Sequence, residues 1–398
     1  MPPTLTEIPN RIEIPKPVAT MMYYICEREY SCYMVGDAVK NLLTGEPMGD
    51  IDLITNADLD RLEMMLENYR IIEFDAQKGE MVVMAGAIPV MISSFRCENE
   101  EVPIPDRILA DELKMRDFTV FTICADMEGN IIDPFDGRSC LMTEPYLLRA
   151  VGEDDPPIIG DNGELIPVPL SVERDPLCLL QALILTGSGE YGISDKTSKT
   201  INANAKSILN LDIDRLRRKF EQILMSKRVS DVFLAFDKVV TTVFPELLDT
   251  VDFDQHSLFH SYKLYEHLCK SVGFSTPDLA LRYALLFHGA GKPDCQAISS
   301  EEYATYYGHS ERSVIMAGRA LERLGVRREI IDEVRFLITH HDTGELINDQ
   351  NLSEITERFS RAEVRKLLLL ASANIRAKNP DNEPKAAAVK KLAETLSR

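Results

Sequence analysis

The chain has 398 residues, which is long enough for two or three domains with hydrophobic cores of their own. Its 64 acidic residues outnumber the 44 lysines and arginines, and the net charge of −20 excludes the broad positive surface that non-specific nucleic-acid binding requires. No apolar window of about 18 residues occurs, so no membrane span is expected. The amino terminus lacks signal-peptide features, and the eight cysteines form no C-x-x-C pair, so we expect reduced thiols and a cytoplasmic location.

The first part of the chain alternates between strand-like and helix-like patterns. The predicted elements are an irregular arm over 1–16, a helix over 18–29, a strand over 32–35, a helix ending near Leu43, a strand over 50–55, a helix over 58–69, and a hairpin of strands 81–84 and 88–92. This order predicts a compact domain built from helices and a sheet.

Two carboxylates stand out in this domain, at Asp50 and Asp52. In a strand, alternate residues project to the same face, so these two side chains are expected to lie together. Carboxylates placed side by side repel each other unless a cation separates them, and Mg²⁺ prefers such oxygen ligands. Gly36 precedes a helix whose first N–H groups suit a phosphate. A phosphate cradle beside a metal-binding carboxylate pair predicts phosphoryl or nucleotidyl transfer, although many acidic pairs at strand ends are only solvated surface.

Further motifs follow in a fixed order. They are R-D-F-T at Arg116–Thr119, G-N-I-I-D-P-F at 129–135, R-A-V-G at 149–152 and D-P-L at 175–177. Together with the strand–glycine–helix unit and D-x-D, they make the sequence resemble the class II CCA-adding tRNA nucleotidyltransferase and bacterial poly(A) polymerase family over nearly the whole chain. The resemblance implies an α+β fold, in which an N-terminal mixed-sheet nucleotidyltransferase head (1–145) precedes an all-α neck and body (146–245) and an HD-like helical domain (246–398).

The resemblance also implies the site residues and the reaction. Asp50 and Asp52 are expected to be catalytic and to hold Mg²⁺, and the nucleotide-binding residues are expected to be Gly36, Asp37, Lys40, Arg116, Asp117, Arg149 and Asp175. The implied activity is Mg²⁺-dependent addition of nucleotides from ATP or CTP to an RNA 3′ end, with tRNA as the expected RNA.

Several positions depart from the family pattern. Met91 stands where the resemblance predicts a third carboxylate, and methionine offers no oxygen to Mg²⁺. Cys178 replaces an arginine that reads the incoming base, and a thiol is a poor, uncharged hydrogen-bond donor at neutral pH. Losses at the base-reading positions predict altered or relaxed nucleotide choice. They also leave open a second hypothesis, a catalytically impaired paralogue that binds nucleotide or RNA as a scaffold or regulator.

The second half of the chain reads as helical. Its densest basic stretch is a candidate contact for the RNA backbone, although a solvated helix face is the commoner origin of such a run; the residues are Arg215, Arg217, Arg218 and Lys219. All seven histidines lie between His256 and His341, and their pattern resembles an HD domain, a helical metal-dependent phosphohydrolase module. Gly289 and Asn374 replace two of its acids, and neutral imidazoles alone hold a hard divalent metal poorly, so we expect a helical scaffold that retains relict histidines and we disfavour phosphohydrolase activity.

Overall fold

The computed structural model describes residues 8–76, 78–155, 158–159, 165–166, 168–257, 261–298 and 304–396. The chain divides into two compact units. The first comprises Met1–Cys178 and Glu190–Thr200, and the second comprises Leu179–Gly189 and Ile201–Arg398. The predicted three-part division, with boundaries near 145 and 245, stays a prediction. Within the described ranges, no helix has the length and apolar character needed to span a membrane.

The first unit is built on a seven-stranded sheet with the order β3-β4-β5-β2-β1-β6-β7. Only β2 and β5 pair in parallel, and every other neighbouring pair in this sheet is antiparallel. The strands are β1 (Cys32–Val35), β2 (Ile51–Thr55), β3 (Arg70–Asp75), β4 (Glu80–Ala85), β5 (Ile88–Ser94), β6 (Cys124–Ala125) and β7 (Ile131–Ile132). The helices are α1 (Lys16–Cys26), α2 (Asp37–Thr44), α3 (Leu59–Met65), α4 (Leu109–Lys114) and α5 (Ser171–Arg174).

The described part of this unit also contains two small sheets. In one, β8 (Tyr146–Leu148) pairs in parallel with β11 (Tyr191–Ile193), and in the other β9 (Ile158–Ile159) pairs antiparallel with β10 (Leu165–Ile166). Short 3₁₀ segments at Ile104–Asp106, Thr119–Phe121 and Gly137–Met142 connect the larger elements.

In the residues that the structure describes, the second unit is helical apart from the short antiparallel pair of β12 (Ala297–Ile298) with β13 (Ala304–Thr305). Helix α12 (Leu279–Phe287) is buried at every residue from 280 to 287, which places this helix at the centre of the unit. Two helices, α6 (Pro176–Ser188) and α7 (Asp195–Ala203), contain residues of both units. The other helices described in the second unit are α8 (Ile213–Leu224), α9 (Val229–Ala235), α10 (Asp237–Val243), α11 (Leu264–Phe274), α12 (Leu279–Phe287), α13 (Lys292–Cys295), α14 (His309–Arg323), α15 (Arg328–Thr339), α16 (His341–Leu346), α17 (Leu352–Arg358), α18 (Arg361–Lys378) and α19 (Glu383–Thr395). The mixed-sheet head followed by a helical body confirms the predicted fold class.

Local sequence explains most of these elements. In α1, Val18, Met21, Met22 and Ile25 recur at helical spacing and are all buried, so one apolar stripe packs against the sheet. The predicted hairpin is confirmed as β4 and β5, which pair from Glu80 to Ser93. Between α18 and α19 the chain leaves helical geometry at Asn379, because the following Pro380 disfavours it there.

Candidate active site

Asp52 lies in the middle of the sheet of the first unit. Its strand, β2, pairs antiparallel with β1 and parallel with β5, so Asp52 stands opposite Val35 on one side and Met91 on the other. Gly36 follows Val35 directly and has φ +77°, a conformation that L side chains rarely adopt. A Cβ at this position would also lie 3.3 Å from the Asp52 Oδ2 atom. Glycine therefore lets the turn into α2 approach the carboxylate closely.

Asp50 lies just outside the strand in which the sequence predicted it. It precedes β2 by one residue and is exposed, whereas Asp52 lies within the strand and is partly buried. Strand alternation therefore does not by itself aim the two carboxylates in the same direction. Asp50 is still close enough for its charge to raise the pKa of Asp52.

Electrostatics at Asp52 favour a bound cation. Burial raises the pKa of this carboxyl group to about 6; the positive charge of Arg116 lowers it, while the negative charges of Asp37, Asp50 and Glu80 raise it further. An additional cation would relieve this repulsion, so the residues present fit a divalent ion. Among the described residues, Asp50 and Asp52 form no metal-binding group with a third histidine, cysteine or acidic side chain.

Glu112 is a residue that the sequence analysis did not single out, and it holds the arginines of this region. It is 1% exposed, and its carboxylate accepts hydrogen bonds from the Arg96 backbone N–H at 2.8 Å and from the Arg96 guanidinium at 2.9 and 3.1 Å. The guanidinium of Arg116, one helical turn further on, is 3.5 Å from the same carboxylate. Glu112 thus fixes Arg116, and their four-residue spacing is the signal that could have indicated this pair.

The segment that the resemblance expects to read the base has a buried cysteine. The Cys178 side chain is 1% exposed, and burial raises the pKa of its thiol, which keeps it neutral. Burial likewise raises the pKa of the Asp117 carboxyl group, helped by the charge of Asp175 and opposed by that of Arg96. Asp175 accepts a hydrogen bond from the backbone N–H of residue 177 at 2.8 Å, at the start of α6.

Two predicted phosphate-binding cations are held by protein groups. Arg149 donates to the backbone oxygens of Phe135 and Asp136, both at 2.9 Å, and its guanidinium lies 2.6 Å from the Asp154 carboxylate. Lys40 is buried, with its ammonium 2.8 Å from Glu46 Oε2. For both residues, nucleotide binding stays a prediction that requires an exchange of partners.

The basic stretch lies on α8 in the second unit. Arg217 pairs with Asp214 at 3.0 Å and with Glu221 at 3.4 Å, and Lys219 donates to Gln181 at 2.8 Å. The other two members, Arg215 and Arg218, are exposed and form no ion pair with any described residue. Their role in RNA binding stays a prediction.

Histidines of the second unit converge on a cavity of about 530 Å³. The Nε2 atoms of His267 and His288 are 3.3 Å apart, and those of His309 and His341 are also 3.3 Å apart. Burial lowers the pKa of His267 to about 3, so this ring is neutral at physiological pH. Asn374 lines the same cavity, in the place where the HD resemblance predicts an acid. Phe259 and His260, which contributed to that resemblance, lie outside the described residues.

Relatives with this sequence pattern are CCA-adding enzymes. The one from Geobacillus thermodenitrificans (strain NG80-2) is 28% identical over 273 residues, covering 66% of this chain and 60% of the relative. The one from Geobacillus sp. (strain WCH70) is 26% identical over 283 residues, covering 69% of this chain and 66% of the relative. The chain therefore spans less than two thirds of the length of either relative.

Solved structures share the fold. The crystal structure of Bacillus stearothermophilus CCA-adding enzyme in complex with CTP superposes with a TM-score of 0.56 at 18% identity, covering 95% of this chain and 83% of that one. The Thermotoga maritima CCA-adding enzyme complexed with tRNA_CCA gives a TM-score of 0.59 at 16% identity, covering 97% and 84%. Residues 32–144, which contain β1 through β7, match the Poly A polymerase head domain. The chain is therefore similar to CCA-adding enzymes in sequence over about two thirds of its length and in fold over nearly all of it.

Proposed function

We propose that the chain is a nucleotidyltransferase that adds nucleotides from ATP or CTP to the 3′ end of an RNA, with tRNA as the substrate class. The observation that carries the proposal is the partly buried Asp52 carboxylate beside the Gly36 turn, with the charges of Asp50 and Arg116 acting on it. Relatives that are CCA-adding enzymes, and solved neighbours holding CTP or tRNA, support the same substrate classes here. The eight free cysteines support a reducing, cytoplasmic location.

Asp50 and Asp52 supply the carboxylate oxygens that Mg²⁺ prefers, and we propose Mg²⁺ as the ion. A bound divalent ion lowers the pKa of a hydroxyl group and neutralises phosphate charge. Gly36 lets a triphosphate approach the first N–H groups of α2. Arg116, held by Glu112, orients the triphosphate by its planar guanidinium, so the chain's own contribution is positioning as well as charge.

A catalytically impaired paralogue is the second candidate, and two observations favour it. Met91, directly beside Asp52 in the sheet, offers no oxygen ligand, and the buried neutral thiol of Cys178 cannot replace a charged donor. In this version the chain binds nucleotide or RNA as a scaffold or regulator. The exposed Arg215 and Arg218 are proposed RNA-backbone contacts in either version.

The test is incorporation of each labelled NTP, supplied separately with Mg²⁺, into a tRNA that lacks its 3′ CCA. The inactivating variant is Asp50→Asn combined with Asp52→Asn, which preserves side-chain shape and removes both charges. The matched control is Asp60→Asn, an exposed acid on α3. The proposal expects incorporation by the wild type and the control and none by the double variant.

The outcomes separate the two candidates. Incorporation that survives the double variant would contradict the assignment of Asp50 and Asp52. If no NTP is incorporated while NTPs still raise the melting temperature of the wild type, the transferase proposal fails and the paralogue stands. The identity of the incorporated nucleotide shows whether base selection persists without an arginine at Cys178.

A further inference from the structure

The loop between α2 and β2 carries Asp50. Strand β2 begins only at Ile51, and Asp50 is exposed, so pairing within the sheet does not fix the direction of its carboxylate. The path of residues 45–50 therefore depends on contacts that the loop itself makes. Gly45 begins the loop with φ +74°, a left-handed conformation that ends α2.

Glu46, the next residue, is held from two sides. Its Oε2 atom is 2.8 Å from the ammonium group of Lys40 on α2, and its Oε1 atom accepts a hydrogen bond from the Tyr146 hydroxyl on β8 at 3.0 Å. Burial alone would raise the pKa of the Glu46 carboxyl group, but the hydrogen bonds from Lys40 and Tyr146 outweigh burial and lower the pKa. Glu46 is therefore ionised at neutral pH, and both of its carboxylate oxygens have protein partners.

The Lys40 side of this contact is buried. Lys40 is 4% exposed, and its Nζ atom lies 5.2 Å from the centre of the Tyr146 ring and 5.6 Å from that of Tyr191. The two tyrosines are opposite each other in the β8–β11 pair, and their rings add cation–π attraction. A buried ammonium group without a counter-charge is strongly destabilising, so Lys40 and Glu46 hold each other in place.

A second contact holds the loop one residue further on. The Asn41 side-chain amide donates to the Pro47 carbonyl oxygen at 3.0 Å, and the Glu46 backbone N–H donates to the Asn41 carbonyl oxygen at 2.9 Å. A Cβ at Gly49 would lie 3.4 Å from the Asn41 Nδ2 atom. The loop thus stays close to α2 up to the residue before Asp50.

We propose that Glu46, held by Lys40 and Tyr146, is a positioning residue that fixes this loop and thereby presents the Asp50 carboxylate to Mg²⁺. The inference rests on the proposed function, because it takes Asp50 as a ligand of that ion. In this role Lys40 acts through Glu46, which is an alternative to the nucleotide contact expected from the sequence. Asp52 needs no such anchor, because the pairing of β2 with β1 and β5 fixes its backbone.

The test compares Tyr146→Phe and Glu46→Gln with the wild type. Tyr146→Phe removes one hydrogen bond and keeps the aromatic ring beside Lys40. In metal-free protein, hydrogen exchange of the backbone amides between residues 46 and 52 should accelerate at least about threefold in both variants. Mg²⁺ affinity measured by calorimetry should fall about threefold in Tyr146→Phe and about tenfold in Glu46→Gln, because a mobile ligand must be ordered on binding.

A double variant separates positioning from stability. Lys40→Met combined with Glu46→Leu replaces the buried pair with apolar side chains, a change that is often neutral for stability. The melting temperature should then match that of the wild type, while Mg²⁺ affinity stays about tenfold lower because the loop has lost its anchor. Recovery of Mg²⁺ affinity together with the melting temperature would show that the pair serves stability alone, and would overturn the proposal.

Matched controls remove similar groups in the second unit. Tyr265→Phe removes a hydroxyl that donates to the Phe233 carbonyl oxygen at 3.0 Å, and Glu246→Gln removes the charge of a carboxylate that accepts from Arg323 at 2.8 Å. Both controls are expected to keep the wild-type Mg²⁺ affinity and the wild-type exchange of residues 46–52.

The outcomes are decisive in either direction. Unchanged exchange and affinity in Tyr146→Phe and Glu46→Gln, or equal losses in the controls, would contradict the positioning role. Neither measurement uses nucleotide or RNA. A failure of nucleotide transfer is therefore recognised separately, by the incorporation assay.

Discussion

Replacing Glu112 with glutamine removes the charge that holds Arg96 and Arg116. In the wild type this carboxylate is 1% exposed, accepts three hydrogen bonds from Arg96 and lies 3.5 Å from the Arg116 guanidinium. The glutamine amide keeps one acceptor oxygen but turns two N–H donors towards the guanidinium groups. Arg116 is then left buried with its main counter-charge removed.

The magnitude follows from this burial. Breaking a buried ion pair by removing one partner costs about 3–5 kcal/mol. The Arg96 side chain is 54% exposed, and water can solvate it after the change, which places the expected loss near the lower end, at about 3 kcal/mol. Since whole proteins are stable by about 5–15 kcal/mol, a loss of this size is readily measured.

The assay is urea-induced unfolding of the wild type, Glu112→Gln and the matched control Glu98→Gln. Glu98 forms an ion pair with Arg174 but its side chain is 74% exposed, so its replacement is expected to cost less than about 0.5 kcal/mol. A loss below about 1 kcal/mol in Glu112→Gln, or equal losses in the two variants, would refute the view that Glu112 anchors Arg116.

The remaining predictions concern metal binding at Asp52 and packing around a glycine. The pKa of Asp52 in the folded state is about 6, so a proton competes with Mg²⁺ for this carboxylate below that pH. Mg²⁺ affinity measured by calorimetry should therefore rise about tenfold per pH unit up to about pH 6 and then level off, whereas Asp52→Asn should show no such slope. A flat profile for the wild type would argue against Asp52 as a metal ligand. Without metal, Asp52 loses its proton at a lower pH in the unfolded chain than in the folded chain. The free energy of unfolding should therefore fall by about 3 kcal/mol between about pH 4 and pH 6 relative to Asp52→Asn. Equal pH dependence of stability in both proteins would exclude a raised pKa at Asp52. Met91→Asp adds a carboxylate beside Asp52 and should tighten Mg²⁺ binding roughly tenfold, unlike Met84→Asp on β4; no difference between the two would mean that Met91 lies outside the ion's reach. Gly137→Ala should lower the free energy of unfolding by about 1–3 kcal/mol in a thermal melt, because its Cβ would overlap the Thr119 carbonyl oxygen. Gly192→Ala meets Pro145 only at 3.4 Å and should be near neutral, so equal melting temperatures of the two variants would contradict the crowding.

The order of elements in the head was readable from local patterns. Short apolar runs predict β1, β4 and β5, and the spacing of apolar residues predicts α1, because burial of one helix face imposes a period on the sequence. The Gly36 turn was also readable, since only glycine readily adopts its backbone conformation.

Elements without such a period were not readable. The edge strand β3, from Arg70 to Asp75, has mostly exposed side chains, so its sequence carries no apolar alternation and pairing with β4 decides its conformation. The helix expected to reach residue 29 ends at Cys26, and Glu29, three residues later, adopts a positive φ of 67°. Such ends depend on backbone geometry that propensity does not specify.

By itself, the sequence determined which residue types could serve a site: the D-x-D pair, the R-D-F-T segment and a set of histidines. The tertiary structure decided which of them meet. It places Met91 beside Asp52 and pairs Arg116 with Glu112. It also brings the Nε2 atom of His309 to 3.3 Å from that of His341, which lies 32 residues further along the chain. Local periodicity encodes which face of an element is buried, whereas contacts between distant elements depend on how those elements pack, and packing is a property of the whole fold.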